Sequence, residues 1–336
     1  MPDTTTIPII DISGFAGGSD DERRAIAQQV ADACTDIGFL LISGHGVPDQ
    51  IVDALYKKAK TFFELPVAEK MKVARPQPDQ IRGYSGLESE SLGLLDADAA
   101  PPDLKELFDA GPLDVPVGDP YYTSSAAGQH FAKNVWPAQP EGFEAAYRAY
   151  FTAMEDLNLR VLQIFATALG LPPDHFAGKV DRHISILRAN YYPRQVAEPR
   201  PNQIRGGGHT DYTALTILWQ EDVPGGGLEI RTQTGEWIPV PVVPGTFVVN
   251  LGDSMMRWTN DTLVSTMHRV VNPPREIAAN HARISFAYFV QPNYDTVIEC
   301  IDSCQSEDRP AKYPPVFNGV YLLEKFTRQN TLVDAE

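Results

Sequence analysis

Apolar and polar positions change period repeatedly along the chain. Residues 7–11 (Ile-Pro-Ile-Ile-Asp) read as a short apolar strand. Ser19-Asp20-Asp21-Glu22 has the form of a capping box, and it opens a helix carrying Ile26, Val30 and Ile37 at near-helical spacing. Phe39-Leu40-Leu41-Ile42 is a continuous apolar run, the mark of a buried strand, and Gly44-His45-Gly46 stops it. A second helix is predicted over 48–63, with Val52, Leu55 and Phe62 on its apolar side. Residues 75–125 lose the period and are rich in Pro, Asp and Gly. They read as loop, with Leu104 to Phe108 as an extended piece and 96–103 as an exposed excursion. From 141 to 171 apolar residues return every three or four positions (Phe143, Tyr147, Phe151, Met154, Leu157, Val161), which predicts one long helix bracing a sheet.

Beyond residue 184 the texture is short β-rich runs divided by Gly, Pro and Asn-Asp turns. Strands are expected at 184–191, 211–219, 227–232, 237–240, 246–250, 264–271 and 282–290, followed by a helix from Val320 to Gln329. Spacing of this kind predicts a β-rich core, a sandwich or a barrel, between helices. No repeat or linker divides the chain. It is expected to form one unit over 1–336: an N-terminal helix, strand and loop region (1–125), the bracing helix (141–171), the β core (184–297) and a tail with a helix (298–336).

Chemistry concentrates in the β-rich part. His209 and Asp211 stand two apart, so on an extended strand they face one side and can share a metal ion, with His268 as a third ligand from a later strand. Two imidazoles and one carboxylate on one side leave the other side of an ion open, as in non-haem Fe(II) oxygenases. Arg283 and Ser285 also share a face, and a guanidinium beside a hydroxyl suits capture of a carboxylate. Metal and carboxylate clamp together fit a ligand such as 2-oxoglutarate. Arg188, Asn190 and Tyr192 share parity on their strand, and Phe289 shares the Arg283 face; Arg188 and Phe289 are candidate substrate contacts. Arg205 precedes Gly206-Gly207-Gly208, which reads equally as a hinge for closure of 194–207 or as a tight entry to a strand. His45, His130, His175, His183 and His281 show no ligand pairing.

These residues fall in an ordered set of motifs: Ile7-Pro8-Ile9-Ile10-Asp11, Gly38 to Val47, Arg82-Gly83-Tyr84, Asn190-Tyr191-Tyr192-Pro193, His209-Thr210-Asp211, Gly245 to Asp253, Ser265 to Val270 and Arg283-Ile284-Ser285. In this order they resemble the 2-oxoglutarate- and iron(II)-dependent dioxygenases, in the branch that also holds isopenicillin N synthase. The resemblance implies an α+β fold, a double-stranded β-helix (jelly roll) braced by N-terminal and central helices. It implies Fe(II), 2-oxoglutarate and O2 as cofactors, with His209, Asp211 and His268 on the metal. Arg283, Ser285, Asn190 and Tyr192 would then surround the oxoacid. By likeness to isopenicillin N synthase, Arg82 and its neighbour Tyr84 become candidate substrate anchors. The implied reaction is oxidation of a small organic metabolite, hydroxylation or desaturation or ring rearrangement, with release of succinate and CO2. Competing readings are an oxidase that dispenses with 2-oxoglutarate, a non-catalytic binder on the same fold, and a zinc hydrolase, for which no general base is evident.

Composition narrows the partners. A net charge of -16 should repel nucleic acid and anionic membrane surfaces, with no basic stripe to offset it. Cys34, Cys300 and Cys304 are too sparse for a disulfide framework and read as free thiols. Met1 to Thr6 has neither the basic nor the apolar part of a secretory signal, and no run approaches a membrane span, so a cytoplasmic protein is expected. Oligomeric state and the primary substrate are not legible.

Overall fold

The computed structural model describes residues 6–77, 80–95 and 101–333. Ser19 opens the first long helix, α1 (Asp20–Asp36), through a reciprocal cap: its hydroxyl accepts from the Glu22 N–H and the Glu22 carboxylate accepts from the Ser19 N–H. Helix α2 (Asp49–Phe63) and the long α3 (Phe143–Ala168) follow, and α4 (Asn318–Val333) lies near the end of the chain. No described helix is long and apolar enough to cross a membrane, and all three cysteines are free.

In chain order the main strands are β1 (Ile9–Asp11), β2 (Phe39–Ser43), β3 (Gly83–Ser85), β4 (Glu106–Ala110), β5 (Ile186–Tyr192) and β6 (Gly206–His209). Then come β7 (Leu215–Gln220), β8 (Leu228–Arg231), β9 (Trp237–Pro239), β10 (Phe247–Leu251), β11 (His268–Val270) and β12 (Arg283–Val290). The large sheet has the order β1-β2-β10-β7-β12-β5-β4-β3, and a smaller one faces it in the order β6-β11-β8-β9. All pairings are antiparallel except β1 with β2.

Period-two alternation divides the large sheet into two faces. On β12, Ile284, Phe286, Tyr288 and Val290 enter the main core. There Phe286 meets Tyr150 and Tyr288 meets Phe151, both edge to face on α3. The hydroxyl of Tyr147 ties α3 to the strands by donating towards the carbonyls of Phe108 and Leu187. The intervening residues Arg283, Ser285, Ala287 and Phe289 face the space between the sheets. The sheet is thus apolar towards the helices and of mixed character towards the cavity, where Arg283 and Ser285 stand beside Ala287 and Phe289.

Four expected elements differ. The strand expected from 211 starts only at Leu215; Asp211 to Ala214 bend, and the Asp211 carbonyl accepts the Asp253 N–H at 2.7 Å instead of joining a ladder. The strand expected over 264–271 shrinks to β11, because Val264 N–H and Thr266 Oγ1 bond to the carbonyls of Cys34 and Ile37 at the end of α1. The glycine run is itself strand β6. A Cβ at Gly207 would stand 2.3 Å from the Gly93 nitrogen and 2.7 Å from its Cα, so glycine is needed there for close approach of two backbones. The excursion expected over 96–103 lies partly outside the described residues (96–100), and Asp103 is buried: it accepts the Gly207 N–H and pairs with Lys105.

Candidate metal centre and its cavity

His209 closes β6 and His268 opens β11, and the register sets the two directly opposite each other. Their ring centres are 4.4 Å apart. Asp211 lies two residues beyond the end of β6 rather than on it, yet its carboxylate faces both rings, with Oδ1 3.7 Å from each Nε2. The three potential ligand atoms lie within 4.8 Å of one another.

The surrounding bonds aim these atoms. Nδ1 of His209 is 2.8 Å from the Gly207 carbonyl, and Nδ1 of His268 is 3.1 Å from the Thr266 carbonyl. A carbonyl only accepts, so each Nδ1 carries a proton and each Nε2 is the ring atom turned towards Asp211. Asp211 Oδ2 accepts from Thr216 Oγ1 (2.6 Å) and Asn250 Nδ2 (2.7 Å), which leaves Oδ1 to the histidine side. Phe39 packs edge-on against His268. Burial first, and the neighbouring His268 second, pull His209 down to about 3, so it is neutral. Burial opposes ionisation of Asp211, but the two imidazoles and the two donors outweigh it and hold the carboxyl below its usual range. A neutral His209 and an ionised Asp211, set beside His268 and open to a cavity, fit a divalent transition metal.

That cavity, about 160 Å³, lies between the sheets. Four residues singled out in the sequence meet at one end. The register pairs Arg283 with Tyr192 and Ser285 with Asn190, and Asn190 Nδ2 is 3.4 Å from Ser285 Oγ. Arg283 is 1% exposed; Nη2 donates to Gln220 Oε1 at 2.8 Å, while Nε and Nη1 have no hydrogen-bond partner. A buried guanidinium with donors to spare fits a carboxylate.

Arg188 and Phe289 line another part of the wall, with the guanidinium carbon 5.8 Å from the ring centre. Arg188 gives Nε and Nη2 to the two oxygens of Asp109 (2.8 and 3.0 Å) and Nη1 to Glu90 (3.0 Å). Lys105 stands 3.4 Å from Glu90. Burial opposes the charge on Glu90, but Arg188, Lys105 and Arg75 overcome it and bring its pKa to about 2. Sequence reasoning misses Glu90, Lys105 and Asp109 because they fall in the aperiodic 75–125 stretch. Only the short extended run near Leu104 hints at a strand there. It also misses Thr216 and Asn250 as supports of Asp211, although Asn250 lies inside one of the ordered motifs.

Two expected substrate anchors are placed elsewhere. Arg82 is buried with its guanidinium spent on the carbonyls of Ile81, His130 and Ala132, at 2.7 to 3.0 Å. It clamps the 130–132 segment and does not line the cavity. Tyr84 is in the main core, its hydroxyl donating to Glu106 at 2.7 Å beside Lys70. Both expectations came from a short loop motif whose neighbours the sequence does not reveal. Leu322 of α4, which nothing in the sequence points to, does reach the cavity.

Comparison with known proteins agrees with this site. Residues 7–139 match the family described as non-haem dioxygenase in morphine synthesis N-terminal, and residues 183–292 match the 2OG-Fe(II) oxygenase superfamily. A homoarginine-6-hydroxylase of Oryza sativa subsp. japonica is 32% identical, over 96% of this chain and 97% of that one. A proline hydroxylase of Petromyces alliaceus is 33% identical, over 90% of this chain and 93% of its own. A full-length Neurospora crassa protein, whose crystal structure is a complex with alpha-KG, superposes with a TM-score of 0.84 at 30% identity, covering 98% of both chains. With a jelly-roll core, a His-Asp-His cluster and this kinship throughout its length, the chain belongs to the 2OG-Fe(II) oxygenase superfamily and is an Fe(II)- and 2-oxoglutarate-dependent dioxygenase acting on a small metabolite.

Proposed function

We propose that the chain hydroxylates a small polar metabolite, with Fe(II) held by His209, Asp211 and His268. The distal carboxylate of 2-oxoglutarate would be held by Arg283 and Ser285. The observation that carries this reading is that the triad and the underused Arg283 guanidinium open into one cavity. When bound, the metal and the oxoacid supply the oxidising power, leaving succinate and CO2. The chain's own residues hold the three ligand atoms in place, orient the oxoacid through Asn190 and Tyr192, and surround the reacting space with apolar side chains such as Phe39, Leu218 and Phe289.

Arg188 and Phe289 are the proposed substrate contacts. Three N–H bonds of Arg188 go to Asp109 and Glu90, so two remain on its outer edge beside the Phe289 ring. A small molecule with a polar edge and a flat or compact body fits that pair. The named relatives act on homoarginine and proline, and the Neurospora crassa protein is also known in complex with thymine, which are molecules of this size and polarity. Phe39, Glu90 and Lys105 from the N-terminal region and Leu322 from the tail complete the wall, which supports a single catalytic unit over 1–336. The free cysteines support a cytoplasmic setting.

The test is a panel of cyclic and basic amino acids and pyrimidine bases with Fe(II), 2-oxoglutarate and O2. Succinate should form in step with a product about 16 Da heavier, the mass of one oxygen atom, and His268→Ala should abolish both. Succinate formation undiminished in His268→Ala, or failure of 2-oxoglutarate to bind the iron-loaded protein, would overturn the proposal.

A further inference from the structure

Every deeply buried arginine needs an account of its charge. Arg188 has one: Asp109 and Glu90 neutralise it in the cavity wall. Arg82 is wrapped by three carbonyls. Arg205 has neither. It is 1% exposed, just before β6. Among the described residues its guanidinium makes one long contact, Nη2 to the His281 carbonyl at 3.4 Å, and Nε has no hydrogen-bond partner.

Its neighbourhood is also cationic. The guanidinium carbons of Arg205 and Arg283 lie 5.7 and 5.2 Å from the centre of the same ring, that of Tyr192. Neither forms an ion pair among the described residues. Glu221 reaches Arg283 only electrostatically, its oxygens being taken by Tyr56 and the Ile284 N–H. Burial first, and repulsion from Arg283 second, bring Arg205 down to about 10, which still leaves it charged at neutral pH. Two buried positive charges therefore border one ring, whose side chain also helps Arg283 keep its charge, while Nε of Arg205 and Nε and Nη1 of Arg283 lack a well-formed hydrogen bond. Such a pair is costly unless an anion joins it.

We infer that Arg205 is a second cation of the carboxylate subsite. It is a positioning residue that acts beside Arg283, across the Tyr192 ring, and makes the subsite demand a charged distal carboxylate on the oxoacid. The inference rests on the assignment of Arg283 to the cosubstrate. It gives the arginine ahead of the glycine run a task that neither hinge nor strand entry requires.

Calorimetry on the iron-loaded protein without O2 tests it, with 2-oxoglutarate and its 5-methyl ester, which lacks the distal charge. Arg205→Gln should weaken 2-oxoglutarate about tenfold and leave the ester nearly unchanged, so discrimination between the two narrows about tenfold. Arg205→Lys should restore most of it. If both ligands weaken equally, or neither changes, Arg205 is only packing and the inference is wrong. Should Arg205→Gln fail to fold, Arg205→Lys decides: it should keep discrimination within about threefold of the native protein while lowering both affinities little. Discrimination that narrows by more than about threefold in Arg205→Lys, although the positive charge is kept, overturns the inference. Arg283→Gln is the separate control. Discrimination surviving in that variant would sink the Arg283 assignment itself, whatever Arg205 shows.

Discussion

Asp211 has two carboxylate oxygens, and the fold treats them differently. Oδ2 is engaged by Thr216 and Asn250, from β7 and β10, while Oδ1 faces His209 and His268. The donors fix the rotation of the carboxylate and favour its charged form, so they should matter to a metal they do not touch. Thr216→Val or Asn250→Leu should weaken Fe(II) or Mn(II) binding about 10–100-fold, with the fold retained. Metal titration of each variant measures this; an unchanged affinity would mean that Oδ2 needs no holding. At this scale the sequence is most legible where one rule applies. Parity places Arg283 with Ser285 and Asn190 with Tyr192, and the register brings the two pairs face to face. It fails where partners are remote: nothing near Arg82 in sequence announces the carbonyls of His130 and Ala132 that occupy two of its guanidinium nitrogens.

Elements follow the same logic. The capping box, α2, α3 and most core strands are visible because an amphipathic or alternating pattern records which face is buried. Strand β6 is not, since Gly206-Gly207-Gly208 has no side chains with which to alternate. Its identity comes from tertiary contact: Gly207 lies against the backbone of Gly93, and that contact sets the short 3-10 turn (Leu92–Leu95) beside the cavity. A hinge and a close approach predict different outcomes for Gly207→Ala. The added methyl meets backbone, which cannot swing aside, so about 1–3 kcal/mol of stability should be lost as the turn is pushed outwards. KM for the primary substrate should rise as Leu92 moves. Thermal melting and steady-state kinetics would read both; lost activity with unchanged melting would restore the hinge.

The whole molecule carries its buried ionisable groups in a way that makes acid its weak side. His130 is brought down to about 4, by burial first and the nearby Arg82 second, and His209 to about 3. Both are depressed below the unfolded value of about 6.5. As pH falls from about 6.5 towards 4 the unfolded chain gains these protons while the folded one does not, so stability falls. Glu90 acts lower: its carboxyl, at about 2, contributes stability above the unfolded value of about 4.5 and loses it as pH drops towards 2. The net charge of -16 works the other way once surface carboxylates begin to protonate, because self-repulsion is relieved. The window from about 6.5 to about 4.5 is therefore the one where the histidines stand alone. In it the urea midpoint of the metal-free protein should fall steadily with pH. His130→Gln should flatten that fall by up to roughly 1.4 kcal/mol per pH unit, since one proton fewer is taken up on unfolding. An identical slope in the variant would show that His130 titrates in the folded protein as it does in water, and that Arg82 is not close enough to matter.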